Sequence, residues 1–359
     1  MSLSQSGSKQ VWRIVDANLN RIGEGLRLLE DVSRFILNDA HMSESLKSLR
    51  HELTPHDLDE KERCLSARDA AGDVGADIMV GLQTRKRELC QAVVANARRV
   101  EESLRVLEEI AKLQGSGLDS QRYQSARFKL YDTEKELVSR LLRQDKAEQI
   151  YGLYAVIDTD CLKGKDFVET ASQLLAGGTK LIQLRDKKSG KKELLSLALA
   201  LKNMCAREDA LFIVNDHLDI ALAADADGLH VGQDDLPVSI ARRQLPIGKL
   251  IGCSVANVQE AKQAKNDGAD YVACGAIYAT STKPDCPQVG LETLRAIKGA
   301  VDLPLVAIGG INLSNVAEVM SAGADAIAVI SALLLARSPQ EATRELIERI
   351  ESCHEPADR

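Results

Sequence analysis

Between Gly152 and Ile330 the chain alternates short apolar runs with amphipathic ones, and this alternation restricts the available folds more than any other feature. Eight apolar runs lie at Gly152–Ile157, Leu181–Leu184, Leu211–Val214, Gly228–Val231, Leu250–Val255, Tyr271–Ala276, Leu303–Ile308 and Ala326–Ile330. Helix-like segments separate them, for example Lys191–Arg207, Asn257–Asp267, Leu291–Gly299 and Ser314–Ala322, with a last one near Gln340–Ile350. A strand covered on both faces reads as an unbroken apolar run, and parallel neighbours need a helical crossover between them. Eight such units in roughly 200 residues predict an α/β fold, a closed (β/α)8 TIM barrel over residues 149–359. An open doubly wound sheet is the alternative, but no GxGxxG follows the first run.

Residues 1–148 have a different texture and predict a smaller all-α domain. Residues 1–8 are Ser-rich and read as frayed. Helical periodicity then covers Lys9 to Leu37, with Ile14, Leu19, Ile22, Leu26, Leu29 and Val32 on the apolar side. A second helix covers Ser43 to Leu53 and stops before Pro55. Asp57 to Asp77 reads as a polar connector with glycines suited to a loop, Lys86 to Lys112 as a third helix, and Asp119 as the N-cap of a fourth that runs to Arg143. Ala17-Asn18-x-x-Arg21-x-x-Glu24-x-Leu26-Arg27-x-Leu29-Glu30 recurs 78 residues later as Ala95-Asn96-x-x-Arg99-x-x-Glu102-x-Leu104-Arg105-x-Leu107-Glu108. The internal repeat implies two helical hairpins packed with approximate two-fold symmetry. Its polar positions make a broad charged face: a solvated Glu–Arg lacework, a self-association surface or a ligand site.

Composition narrows the function classes. Aromatics are only 3% of the 359 residues, so Leu, Ile, Val and Ala must fill the cores. A net charge of −7 and a pI near 5.6 argue against nucleic acid or an anionic membrane as the main partner, while leaving local phosphate pockets open. The eight cysteines form no CxxC pair and no metal cluster with the six histidines. Cys253 and Cys274 fall in apolar runs, where a reduced Cys packs as a small hydrophobe. No basic-then-apolar segment follows Met1, and no run of about 18 apolar residues occurs. A soluble, reduced, cytoplasmic protein is the expectation.

In a barrel the chemistry gathers where strands end. The second run closes on Gln183-Leu184-Arg185-Asp186-Lys187, whose alternation puts Gln183, Arg185 and Lys187 on one face. The third closes on Asn215-Asp216 and the fourth leads to Gln233-Asp234-Asp235. Asp216 and Asp235 side by side suit a hard cation such as Mg2+, although either alone would be an ordinary cap or turn residue. The fifth run contains Ser254, and the sixth leads into the hydroxyl-rich Thr280-Ser281-Thr282 with Lys283. Gly309-Gly310 and Ile330-Ser331 follow the seventh and eighth, where barrels hold a phosphate on backbone N–H groups. Two Asp, one Arg and two Lys form a second anion site, suited to a metal-chelated diphosphate. No Ser-His-Asp set is evident, so hydrolysis through a protein nucleophile is not favoured. His230 reads as inward-facing on its strand, with a packed, hydrogen-bonded core role favoured over a direct catalytic one.

Together, Gln183-Leu184-Arg185-x-Lys187, Val214-Asn215-Asp216, Gly228-x-His230-x-Gly232-Gln233-x-Asp235, Gly252-x-Ser254, Thr280-x-Thr282-Lys283 and Ile308-Gly309-Gly310-Ile311 resemble the thiamine phosphate synthase family over about Tyr151 to Leu335. Residues 1–145 resemble the helical domain fused ahead of this enzyme in some bacteria. The resemblance implies a transferase that joins 4-amino-2-methyl-5-pyrimidinylmethyl diphosphate to a phosphoethyl-thiazole, giving thiamine phosphate and diphosphate. CO2 is also lost if the thiazole carries a 2-carboxylate. It implies Mg2+ on Asp216 and Asp235, with Arg185, Lys187, Lys283 and Ser254 in the catalytic set. Substrate contacts would come from Gln183, Asn215, Thr280, Ser281, Thr282, Gly310, Ile330 and Ser331 as well. Ala279 and Val289 depart from the family's usual Pro and Gln. The sister thiazole tautomerase is the enzymatic rival, with no need of diphosphate handling; a non-catalytic sensor or scaffold is the rival of another class. For the helical domain, an interaction module, possibly dimerising, competes with a second activity in pyrimidine phosphate metabolism.

Overall fold

The computed structural model describes residues 5–54, 58–68, 88–114, 116–280 and 287–353. It divides into two compact units, Met1–Leu142 and Arg143–Arg359.

The first unit is all helical: α1 (Gln5–Phe35), α2 (Ala40–Leu53), α3 (Leu58–Ala67), α4 (Leu89–Ala111) and α5 (Ser120–Ala147), which runs on into the second unit. Ile22, Leu26 and Leu29 recur at helical spacing on α1 and pack in one core with Leu46 and Leu49 of α2, Val100, Leu104 and Leu107 of α4, and Tyr123 and Leu130 of α5. Truncating one of these leucines to Ala would cost about 2–5 kcal/mol. Asp39 starts α2 by accepting the Met42 N–H at 2.9 Å, and Asp119 accepts that of Gln121 at 2.9 Å at the head of α5.

Three readings of the sequence need correction here. Residues 5–8 continue α1 rather than fraying, and residues 58–67 of the expected connector are helical. Ile14 is 43% exposed; Trp12 and Val15 take the buried stripe, because it rotates round so long a helix.

Equivalent positions in α1 and α4 make equivalent bonds. The Asn18 and Asn96 side chains each donate to the carbonyl four residues back, both at 2.8 Å. Glu30 pairs with Arg50 on α2 at 3.0 Å, and Glu108 with Arg127 on α5 at 3.0 Å. Arg21, Glu24, Arg99 and Glu102 are exposed.

In the second unit, eight strands of the described residues close into a parallel barrel in sequence order: β1 (Gly152–Asp158), β2 (Leu181–Arg185), β3 (Leu211–Asn215), β4 (Gly228–Val231), β5 (Leu250–Val255), β6 (Tyr271–Cys274), β7 (Leu305–Ile308) and β8 (Ala326–Val329). The helices between them are α6 (Phe167–Ala176), α7 (Lys191–Arg207), α8 (Leu218–Ala223), α9 (Val238–Gln244), α10 (Val258–Asn266), α11 (Gly290–Lys298) and α12 (Val316–Ser321), with α13 (Ser331–Leu334) and α14 (Pro339–Glu351) after β8.

Strand parity sorts the side chains. Ile182, Phe212, Leu229, Ile251 and Val272 point outward into the layer shared with the helices, while Tyr154, Val156, Leu181, Leu211, Ile213, Leu250, Tyr271 and Val306 fill the barrel. The inward positions nearer the strand ends on β2 to β5 are polar: Gln183, Arg185, Asn215, His230 and Ser254.

A repeated clasp fastens the opposite end. Asp227, Asp270 and Asp325 precede β4, β6 and β8, and each accepts the backbone N–H of Phe212, Ile251 or Leu305 at the start of the preceding strand, at 3.2, 2.8 and 2.8 Å. Each carboxylate is also paired with a cation: Lys202 and Lys146 on Asp227, Arg242 and Arg143 on Asp270, and Lys298 on Asp325. These paired carboxylates hold the sheet together away from the strand ends that carry the polar residues.

Candidate active site

The barrel mouth is built by the last inward residue of each strand and the first of the loop beyond it. One cavity is lined by Gln183, Arg185, Asn215, Ser254, Thr280, Gly310, Ile330 and Ser331, together with Tyr154 and His230. Eight residues singled out from the sequence therefore face one space. Ser281, Thr282 and Lys283 lie outside the described residues.

Lys187, Asp216 and Asp235 stand apart from that lining. Asp216 takes a left-handed conformation (φ 60°) and donates its N–H to the His230 carbonyl at 2.8 Å, which ties the end of β3 to β4. This turn lays its carboxylate against that of Asp235, whose Oδ2 accepts the Gly232 N–H at 2.9 Å. Lys187 pairs with Asp216, and Arg185 pairs with the buried Asp158 at the end of β1. Burial and then the adjoining Asp235 carboxyl push the Asp216 carboxyl up, while Lys187 pulls it down. Two abutting carboxylates that repel each other's ionisation suit a divalent cation, which removes that repulsion. Among the described residues no group of three or more His, Cys, Asp or Glu gathers as a closed metal cage. The donor set thus fits Mg2+, which uses one or two carboxylates and fills its octahedron with water and substrate phosphate.

Across the mouth, the Gly309-Gly310 turn is fixed by space as well as conformation. Both glycines have positive φ, 104° and 67°, and a Cβ on Gly310 would stand 2.7 Å from the Ala279 carbonyl oxygen and 2.8 Å from Tyr278 Cβ. Tyr278 donates its N–H to the Gly309 carbonyl at 3.0 Å, and the Asn315 side chain donates to that of Gly310 at 3.0 Å. Ile330-Ser331 begins α13 beside this turn in the same cavity lining.

At the cavity wall His230 is buried, as expected from the sequence, and joins a polar chain that was not. Its Nδ1 lies 3.1 Å from the Tyr271 hydroxyl and its Nε2 3.0 Å from Ser254 Oγ. Tyr154, Tyr271, Asp158 and Asn315 are the residues missed. Asp158 carried a readable signal, since it is a strand-final Asp like Asp216. The two tyrosines, which are apolar in the sequence pattern, carried none; Gln233, read from the strand-end motif, donates to the Ser254 carbonyl at 2.7 Å.

A closed parallel barrel with a carboxylate pair and cations at one side of its mouth and a diglycine turn at the other makes this unit a (β/α)8 barrel with its polar site at the strand ends. A family model described as thiamine monophosphate synthase matches residues 153–333, and one described as the ThiD2 family matches residues 13–136. Thiamine-phosphate synthases of Thermosynechococcus vestitus and Synechocystis sp. are 39% identical over 349 residues and 37% over 348, covering 96% and 97% of this chain and 96% and 98% of their own lengths. The solved thiamine phosphate pyrophosphorylase from Pyrococcus furiosus is 38% identical, with a TM-score of 0.54 over 58% of this chain and 99% of its own. The chain belongs to the thiamine-phosphate synthase family. No described helix is long and apolar enough to cross a membrane.

Proposed function

We propose that this protein condenses 4-amino-2-methyl-5-pyrimidinylmethyl diphosphate with 4-methyl-5-(2-phosphoethyl)thiazole, or its 2-carboxylate, releasing diphosphate and, from the carboxylate, CO2. The observation that carries this reading is the packing of Asp216 against Asp235 with Lys187 beside them, in a mouth that also holds Arg185 and the Gly310/Ser331 turn. A tautomerase acting on a thiazole monophosphate has no use for the first group.

The bond that breaks is a benzylic-type C–O bond, and negative charge grows on the leaving diphosphate. Asp216 and Asp235 would hold Mg2+, which when bound supplies the neutralising charge of a divalent cation. Arg185, Lys187 and Lys283 would bind the remaining phosphate oxygens, and Ser254 with Thr280, Ser281 and Thr282 would hydrogen-bond diphosphate or thiazole groups. Gln183 and Asn215 would orient the pyrimidine or its diphosphate. Gly310, Ile330 and Ser331 would hold the thiazole phosphate and so bring the ring nitrogen, already a nucleophile, into line without a general base.

Purified full-length protein given Mg2+ and both substrates should form thiamine phosphate and release diphosphate. Asp216→Ala and Asp235→Ala should each lower kcat/KM by about 100-fold or more, as loss of transition-state charge stabilisation does. Folded wild-type protein that binds both substrates without making product would return the assignment to a tautomerase or sensor.

The domain division at 148/149 belongs to the same reading, as do a cytoplasmic location and a duplicated helical hairpin ahead of the barrel. The matching Glu30–Arg50 and Glu108–Arg127 pairs support the duplication. The exposed Arg21, Glu24, Arg99 and Glu102 favour self-association or a separate ligand; sedimentation of the full chain beside residues 149–359, with assays for a separable reaction, distinguishes them.

A further inference from the structure

The proposed reaction gives no task to Tyr154, Tyr271 and His230, which join Gln183 to Ser254 in a line of hydrogen bonds across the barrel. The Gln183 side-chain amide on β2 donates to the Tyr154 hydroxyl on β1 at 2.8 Å, and that hydroxyl lies 3.0 Å from the Tyr271 hydroxyl on β6. Tyr271 is 3.1 Å from His230 Nδ1 on β4, and His230 Nε2 is 3.0 Å from Ser254 Oγ on β5. Tyr271 is fully buried (0% exposed) and does not line the cavity, whereas the other four members of the line, Gln183, Tyr154, His230 and Ser254, do. Space for its ring is provided by Gly252, where a Cβ would stand 2.0 Å from Tyr271 Cζ.

We propose that Tyr271 is a positioning residue: it couples Gln183 to Ser254, so that the two present one hydrogen-bond donor and one acceptor together to the pyrimidine ring, which places Ser254 on the pyrimidine instead of on the diphosphate or thiazole groups. This rests on the synthase reading. The coupling follows from proton counting, because each hydroxyl has a single proton and a buried proton without an acceptor is costly. With the Gln183 nitrogen donating to Tyr154, the Tyr154 proton goes to Tyr271 and the Tyr271 proton to Nδ1 of His230 in its Nε2–H tautomer. Nε2–H then donates to Ser254 Oγ, which leaves the Ser254 proton and the Gln183 carbonyl for a ligand. Turning the Gln183 amide over reverses every bond, and the ends become the Ser254 lone pair and the Gln183 NH2. Both states offer one donor and one acceptor. A 4-aminopyrimidine supplies the complement, an exocyclic N–H and a ring nitrogen. The phosphoethyl-thiazole has no N–H to give.

The test uses Tyr271→Phe and Tyr154→Phe in the full-length protein, each checked for a cooperative melt. Either variant should lower kcat/KM for the pyrimidine substrate by about tenfold, the equivalent of one buried hydrogen bond, with the KM for the thiazole phosphate unmoved. Combined with Ser254→Ala, Tyr271→Phe should add nothing to the effect of Ser254→Ala alone. Multiplying effects, or equal losses toward both substrates, would overturn the coupling. Histidine 15N NMR reads the line without turnover: both Tyr271→Phe and Ser254→Ala should change the ring-nitrogen signals of His230. No response of the His230 signals to Tyr271→Phe would also overturn it, even if the synthase reading had failed on product formation.

Discussion

Single residues in the barrel act through the space and protons they leave to others. Gly252 is a clear case, for its missing side chain is where the Tyr271 ring lies, and ring carbons cannot yield as a flexible chain end does. Gly252→Ala should destabilise the barrel by about 1–3 kcal/mol through overpacking. It should also lower activity more than Gly152→Ala, whose Cβ would meet nothing within 4 Å, apart from the strain both its positive φ and any Ala there share. Thermal melts and steady-state kinetics of the two variants check this. A loss of stability at Gly252 without loss of pyrimidine affinity would separate Tyr271 packing from its hydrogen bonding. The same scale explains what was readable at the site. Asp216, Asp235, Arg185 and Lys187 are charged groups next to apolar runs and stand out in the chain. Tyr154 and Tyr271 look like core residues until their hydroxyls are found beside one another.

At the scale of elements, helices α4 and α5 meet across an awkward pair of acids. Burial, and then the neighbouring Glu134, push the Glu101 carboxyl up to about 7. A carboxyl that holds its proton more tightly folded than unfolded favours the fold below its ordinary range, and that advantage is lost as pH rises through about 7. The helical unit should therefore weaken between mildly acidic and mildly alkaline pH. Glu101→Gln, which keeps the shape and removes the titration, should flatten that dependence and raise the melting temperature at pH ~8 relative to wild type. Circular dichroism melts across the pH range measure it; an unchanged slope would assign the dependence to other groups. The periodicity of these helices was legible in residues such as Ile22, Leu26 and Leu29. The start of α3 was not, because its exposed face is as polar as a connector.

For the whole molecule, the two-unit division falls inside α5, and its last turns supply ions to the barrel. Arg143 reaches Asp270 at 3.0 Å and Lys146 reaches Asp227 at 3.4 Å, at clasps that fasten strand starts. A chain beginning at residue 149 should keep the barrel and its mouth, yet melt lower than one beginning at 143. The difference should be about 1–2 kcal/mol, since Asp270 and Asp227 keep Arg242 and Lys202 but lose one partner each. Denaturant titration of the two truncations gives the comparison, and equal midpoints would make these pairs incidental.

The sequence by itself determined the barrel, the helical region ahead of it and the charged strand ends, since apolar runs, helical periods and unpaired charges are local patterns along the chain. Only the tertiary structure decided that Asp216 abuts Asp235, that Arg185 answers Asp158, and that Gln183 communicates with Ser254 through Tyr154, Tyr271 and His230. Those partners are about 20 to more than 100 residues apart, and barrel closure with its strand register is what brings them within hydrogen-bond reach.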